Sequence, residues 1–236
     1  MTNNIVEISR NIINNIENID ELVDSYFDPI KDLTETAGDI FTPIKAIHSL
    51  YTLNKKRKFK NFLKFYAESL KNCKFNIIDN ADRLKNYLKN EKNFNFLNEV
   101  IDNAINSKSI YGANLLGYFA GQILSKEMNI SYKELIIIDG IKELNDIELS
   151  CFVRIYSVAD LSKIVFLEQL TELKAFTFFC ELTIERMIQL RLIEKNHHTY
   201  SDSDKNSSFI STDIAEDIFY LIKDCNIYND LLYYKF

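Results

Sequence analysis

Over the first thirty residues, apolar side chains recur at Ile5, Ile8, Ile12, Ile16, Ile19, Leu22, Tyr26 and Ile30, every three or four positions. That spacing predicts one face of a long helix. Asp28-Pro29 bends or ends it, because proline removes a backbone donor and disfavours helix in the residue before it. A short helical run, Ile40 to Leu53, follows and is interrupted near its start by Pro43. Next, Lys56, Lys60, Lys64, Lys71 and Lys74 gather on one side of a helical wheel, and Phe59, Phe62, Tyr66, Leu70 and Cys73 on the other. Further helical patterns lie at Ile78 to Leu88 and Phe94 to Ile105. They lead into Ser109 to Ser125, an uncharged stretch of 17 residues. A membrane span needs about 20 mostly apolar residues, so this reads as a core helix, where Gly112, Gly117 and Gly121 would let a neighbouring helix approach closely.

Helix boundaries are clearest in the second half. Ser131 and Glu134 have capping-box spacing, and Ile130 with Leu135 supplies the matching hydrophobic staple. Asn145 and Glu148 repeat the arrangement before Leu149, Phe152, Val153 and Tyr156, and an apolar run from Ile164 to Leu173 follows. Thr183 is placed to cap a helix carrying Ile184, Met187, Ile188 and Leu190 to Ile193. His197 to Tyr200 and Ser208 to Ser211 read as two short strands around a Ser/Asp-rich turn, and Thr212 caps a last helix over Ile214 to Ile222. The expected fold is all-α: a multi-helix bundle over residues 1–170, then a winged-helix-like unit over 171–236 with one small β-hairpin.

Composition supports this reading. Five Gly and two Pro in 236 residues are too few for the tight turns of a sandwich, barrel or doubly wound sheet. No glycine-rich phosphate cradle of the GxGxxG or GxxxxGK[ST] kind occurs. The four cysteines, Cys73, Cys151, Cys180 and Cys225, form no CxxC pair and suit free thiols in a reducing compartment. The N-terminal segment lacks the basic start and continuous apolar core of a signal peptide, so a cytoplasmic protein is expected.

The residues Leu190-Arg191-Leu192-Ile193-Glu194, a polar turn, and Phe209-Ile210-Ser211-Thr212-Asp213-Ile214-Ala215 resemble the end of the abortive-infection alpha-like proteins of bacteria. In those, a helix end is followed by a wing strand and a threonine-capped final helix. Leu115-Leu116-Gly117-Tyr118, the segment Asn129-Ile130-Ser131-Tyr132-Lys133-Glu134-Leu135 and the upstream stretch Phe59 to Leu70 are similar as well. Arg191 stands where the family pattern has glycine. The resemblance implies a helical bacterial protein associated with defence against phage, and it brings no catalytic residues with it.

Charge is distributed unevenly. The net charge is −6, which argues against general adhesion to nucleic acid or anionic membrane. Residues 1–40 hold nine acidic and two basic side chains, whereas 51–74 hold eight basic and one acidic, Glu68. The basic helix could grip phosphates, or lie on an anionic membrane with Phe59 and Phe62 inserted. Against this, the acidic segment could neutralise the same lysines, within the fold or across a dimer. In the C-terminal unit, Arg186, Gln189, Arg191 and Lys195 sit among Glu181, Glu185 and Glu194, so a DNA-reading role finds little net positive charge. Arg191 and His197 also have the Arg-x5-His spacing of the helical RNases called HEPN, although Leu192 departs from the polar residue usual there. His197-His198 with Asp202 and Asp204 is a weak metal pattern, since neighbouring strand residues point to opposite faces.

The candidate binding residues are therefore Lys56, Lys60, Lys64 and Lys71 on the basic helix, with Arg186 and Arg191 near the end of the chain. No catalytic residue, metal or cofactor is assigned. A protein partner or self-association is the expected mode of action, with a membrane surface or nucleic acid as the alternatives.

Overall fold

The computed structural model describes residues 20, 23–24, 42–73, 86–87, 89–128, 130–158, 165–166, 177–195 and 208–235. Among them are eight helices: α1 (Thr42–Asn72), α2 (Glu91–Asn106), α3 (Ile110–Lys126), α4 (Tyr132–Glu143), α5 (Asp146–Val158), α6 (Thr177–Gln189), α7 (Asp213–Asp224) and α8 (Tyr228–Leu232). Three short strands accompany them: β1 (Val165–Phe166), β2 (Ile193–Lys195) and β3 (Ser208–Ser211). The protein is a mostly α, multi-helix fold. Its contacts divide it into two compact units, Met1–Asn106 with Ala113–Asn129, and Ser107–Gly112 with Ile130–Phe236. This division cuts the chain at different points from the segments 1–170 and 171–236 read from the pattern.

In the first unit α1 is one continuous helix of 31 residues. The expected break at Pro43 is absent because proline there lies in the first helical turn, where its missing N–H has no intrahelical partner to lose. The apolar side of α1 is spent on the core: Phe59, Phe62, Leu63, Tyr66, Ala67 and Leu70 are all buried. Phe62 stacks between Phe59 and Tyr66, with ring centroids 6.4 and 6.1 Å away. The helix α2 packs on α1 and buries Phe96, Leu97, Val100, Ile101 and Ala104, and Asn90 caps it by accepting from the Lys92 amide at 2.9 Å. In α3, residues 112–121 are buried all round, as expected of an uncharged core helix. Its glycines do what the sequence suggested. A Cβ on Gly117 would lie 2.2 Å from the carbonyl oxygen of Phe62, and one on Gly121 would lie 2.6 Å from Cβ of Ser69, so the backbones of α1 and α3 meet where no side chain intervenes.

The second unit opens with both caps in place. Glu134 accepts from the Ser131 amide at 2.7 Å, while Ser131 Oγ accepts from the Lys133 amide at 3.2 Å. Asn145 and Glu148 bond reciprocally at 2.8 and 3.0 Å to start α5. Helix α5 packs on α6 and α8. From α5, Ser150 donates to the Leu231 carbonyl at 2.7 Å, and Arg154 donates to the carbonyls of Leu232 and Tyr234 at 2.8 and 2.7 Å. Helix α4 packs on α7, where Lys133 pairs with Asp217 at 2.6 Å.

Two helix ends differ from the sequence reading. Helix α6 starts at Thr177 and runs through Thr183, which is buried inside it instead of capping it; Glu181 and Leu182, good helix formers, carry the helix across that point. It then stops at Gln189, so Leu190 to Ile193 are not helical. Arg191 has φ of 59°. The amides of Leu192 and Arg191 bond back to the carbonyls of Met187 and Ile188 at 2.8 and 3.0 Å, which is a Schellman end with a left-handed residue after the helix. The freed chain becomes β2. It pairs antiparallel with β3, Ile193 opposite Ser211 and Lys195 opposite Phe209; the strand expected at His197 to Tyr200 lies outside the described residues. β1 adds antiparallel to the other edge of β3, giving the order β1-β3-β2. Thr212 caps α7 as expected, its hydroxyl accepting from the Ala215 amide at 3.3 Å, and it also donates to the Leu192 carbonyl at 3.0 Å.

Candidate functional site

With Phe59, Phe62, Leu63, Tyr66, Ala67 and Leu70 buried, α1 offers its other side to solvent. Arg57, Lys60, Lys64 and Lys71 are exposed, and at 100° per residue they fall within an arc of about 60°. The stripe they form is about 20 Å long at 1.5 Å per residue. Glu68 lies on the same side, half-buried, as the one acidic side chain of 51–74. Lys71 is in the last turn of α1, where a cation is favoured by the helix dipole. Lys64 holds its ammonium 5.8 Å from the centroid of the Phe65 ring.

The acidic N-terminal segment reaches one end of this stripe. Asp20, Val23 and Asp24 are helical, and Asp20 and Asp24, four residues apart, share one helix face. Lys60 pairs with Asp20 at 2.6 Å and Lys56 with Asp24 at 2.8 Å. The order is inverted, 20 with 60 and 24 with 56, as two helical segments running antiparallel require. Val23, between the two carboxylates, is buried. The side chain of Lys60 remains 51% exposed and that of Lys56 28%, so these pairs are solvent-screened, a class worth roughly 0.2–1 kcal/mol each.

Of the six sequence-predicted binding residues, four thus lie along α1: Lys64 and Lys71 face solvent, while Lys56 and Lys60 are engaged by carboxylates. The expected membrane anchors, Phe59 and Phe62, are 0% and 1% exposed; the periodicity that marks them as apolar does not distinguish a bilayer from a core. Arg186 does not present itself either. It donates to Glu143 at 2.9 Å and Gln189 at 3.2 Å, and Lys108 joins Glu143 at 2.7 Å. The hydrogen bond from Lys108, then its charge and that of Arg186, hold the Glu143 carboxyl below the ordinary glutamate value. Arg191 is exposed, but its place in the fold is set by its backbone, which turns the chain from α6 into β2.

The sequence reading missed Arg57 as a member of the stripe, and Asp20 and Asp24 as the particular acids that meet it. Their i, i+4 spacing, matched by Lys56 and Lys60, was the available signal. His197, His198, Asp202 and Asp204 lie outside the described residues. Among the described residues no cluster of His, Cys, Asp and Glu could hold a metal ion, and no helix is long and apolar enough to cross a membrane. Of the cysteines, Cys73 is exposed and Cys151 and Cys225 are buried. Compared with models of protein families, with curated proteins and with solved structures, the chain matches none.

Proposed function

We propose that this chain is a non-enzymatic bacterial protein of the phage-defence type that acts by docking the basic stripe of α1 on an acidic surface of a protein partner. The observation that carries the docking part is the division of α1 into a buried side of Phe59, Phe62 and Tyr66 and an exposed row of Arg57, Lys60, Lys64 and Lys71. A row of cations with a single large exposed apolar neighbour among the described residues, Leu53, suits recognition by charge, which steers association and selects partners, better than insertion into a bilayer, which needs a larger buried apolar area.

The defence part rests on the resemblance to the abortive-infection alpha-like proteins. Two features support it. The arrangement of α6, the β2–β3 hairpin and the threonine-capped α7 has the order of a helix, wing and closing helix. Arg191, at the family's glycine position, adopts the left-handed conformation that glycine takes without strain. Arg186 and Arg191, which a DNA-reading helix would offer to a groove, are occupied by an ion pair and a turn, so the nucleic-acid reading gains no support.

A photo-crosslinking residue placed at position 64, in cells challenged with a panel of phages, tests the reading. The expected result is a discrete adduct with an acidic protein that disappears when Lys71→Glu is added and is absent when the crosslinker sits at exposed Asp139. Adducts of equal yield from positions 64 and 139, or none from 64, would overturn it.

A further inference from the structure

We infer that the acidic segment around Asp20 and Asp24 is an autoinhibitory latch, a resident ligand that occupies one end of the basic stripe and must be displaced before an acidic partner can use the whole of it. The inference rests on the proposed function of the stripe and adds its regulation. Three observations carry it. The contacts are matched in pairs, Asp20 with Lys60 and Asp24 with Lys56, in antiparallel register. Val23, between the two acids in the chain, is buried, so the segment carries two carboxylates four residues apart with a buried apolar residue between them. The latch also covers the stripe incompletely: Lys60 is engaged, while Lys64 and Lys71 lie one and three turns further along α1 and stay exposed.

This division gives the arrangement its logic. Lys64 and Lys71 are open to a first encounter with an acidic surface, and the partner then competes with Asp20 and Asp24 for Lys60 and Lys56. Solvent-screened ion pairs are individually weak, so the latch is of a strength that a multivalent acidic surface can displace. The chemistry of the resident segment also describes the partner: a helix carrying carboxylates at i and i+4 with an apolar residue between them is the surface the stripe already accepts.

Two measurements on the full chain test the latch. The first needs no ligand: brief reaction with acetic anhydride followed by peptide mass spectrometry reads the amine reactivity of Lys60 against that of Lys64. The wild type should show Lys60 modified more slowly, and Asp20→Asn/Asp24→Asn should remove the difference; a Lys60 to Lys64 ratio unchanged by the double substitution would overturn the latch. The second uses fluorescein-labelled poly-L-glutamate at low ionic strength. Asp20→Asn/Asp24→Asn should bind between about two- and thirtyfold more tightly than wild type, the span expected of two screened ion pairs, and Lys64→Glu/Lys71→Glu should weaken binding. Equal affinity of wild type and the Asp-to-Asn variant, with the lysine reversal still harmful, would sink the latch and leave the docking reading standing. Binding indifferent to Lys64 and Lys71 would remove the docking reading and the latch with it.

Discussion

Replacing Gly117 by alanine probes the packing of α1 on α3 at its tightest point. In an open helical site the change would help, since alanine is favoured over glycine by about 1 kcal/mol in a helix interior. At position 117 the new Cβ would lie 2.2 Å from the Phe62 carbonyl oxygen and 2.9 Å from its carbonyl carbon and Cα. Ordinary contact begins at 3.4 Å. The obstructing atoms are backbone, so no rotamer change relieves them, and the helices must separate by on the order of 1 Å, loosening the contacts around them. Overpacking of this kind costs about 1–3 kcal/mol and sometimes more, enough to reverse the propensity gain. We expect Gly117→Ala to lose about 2 kcal/mol net, a fall in Tm of roughly 4–8 °C for a chain of this size. Gly140→Ala is the internal control: its Cβ would meet Ile218 Cδ1 and Leu192 Cδ2 at 3.5 Å each, ordinary contact, so it should be neutral or stabilising by up to about 1 kcal/mol. Urea unfolding followed by circular dichroism at 222 nm reads both. Equal effects of the two substitutions, or a Gly117→Ala chain as stable as wild type, would refute the close approach of α1 and α3.

Three further outcomes follow from individual residues. Arg191→Gly should raise stability by about 0.5–1 kcal/mol in the same urea assay, because a left-handed residue with a side chain costs about 1–2 kcal/mol and glycine returns part of that through its freer unfolded chain; a loss of stability would show that the arginine side chain matters more than its backbone. Tyr66→Phe should leave stability unchanged or raise it by up to about 1 kcal/mol, since the buried Tyr66 hydroxyl has no hydrogen-bond partner among the described residues and burial pushes its phenol upward; a loss beyond about 1 kcal/mol would reveal a partner for it. Glu143, held below the usual carboxylate range by Lys108 and Arg186, stabilises the fold above its unfolded value near 4.3, and that contribution is lost as pH falls through its lower folded value. Glu143→Gln should therefore flatten the fall in stability on acidification below about pH 5, and an unaltered pH profile would contradict the ion-pair assignment.

Where sequence and structure agree, the signal is short-range. Ser131 with Glu134, Asn145 with Glu148 and Thr212 before α7 each mark a helix start by side-chain chemistry within three residues, and the glycines of α3 marked a close approach. The misses have a common cause. Pro43 and Thr183 are ambiguous in sequence, because proline opens a helix as readily as it breaks one and threonine sits in a buried turn as readily as at a cap. The end of α6 depends on a left-handed arginine that no local pattern announces, and β1, two residues long, exists only through its pairing with β3. The site divides in the same way. The lysine row was legible from its periodicity, whereas the fate of Phe59 and Phe62 depended on what α2 and α3 bring against them. The pairing of Asp20 and Asp24 with Lys60 and Lys56 spans more than thirty residues of chain, beyond the reach of any local rule.

Phage plaquing on cells expressing the protein measures the proposed role of the basic stripe most directly. Wild type and Lys64→Arg/Lys71→Arg, which keep the charge, should suppress plaques alike, while Lys64→Gln/Lys71→Gln should suppress them less and Lys64→Glu/Lys71→Glu not at all, with every chain equally folded by circular dichroism. Protection that ignores the charge at these two positions, or no protection by the wild type across a broad phage panel, would contradict the account.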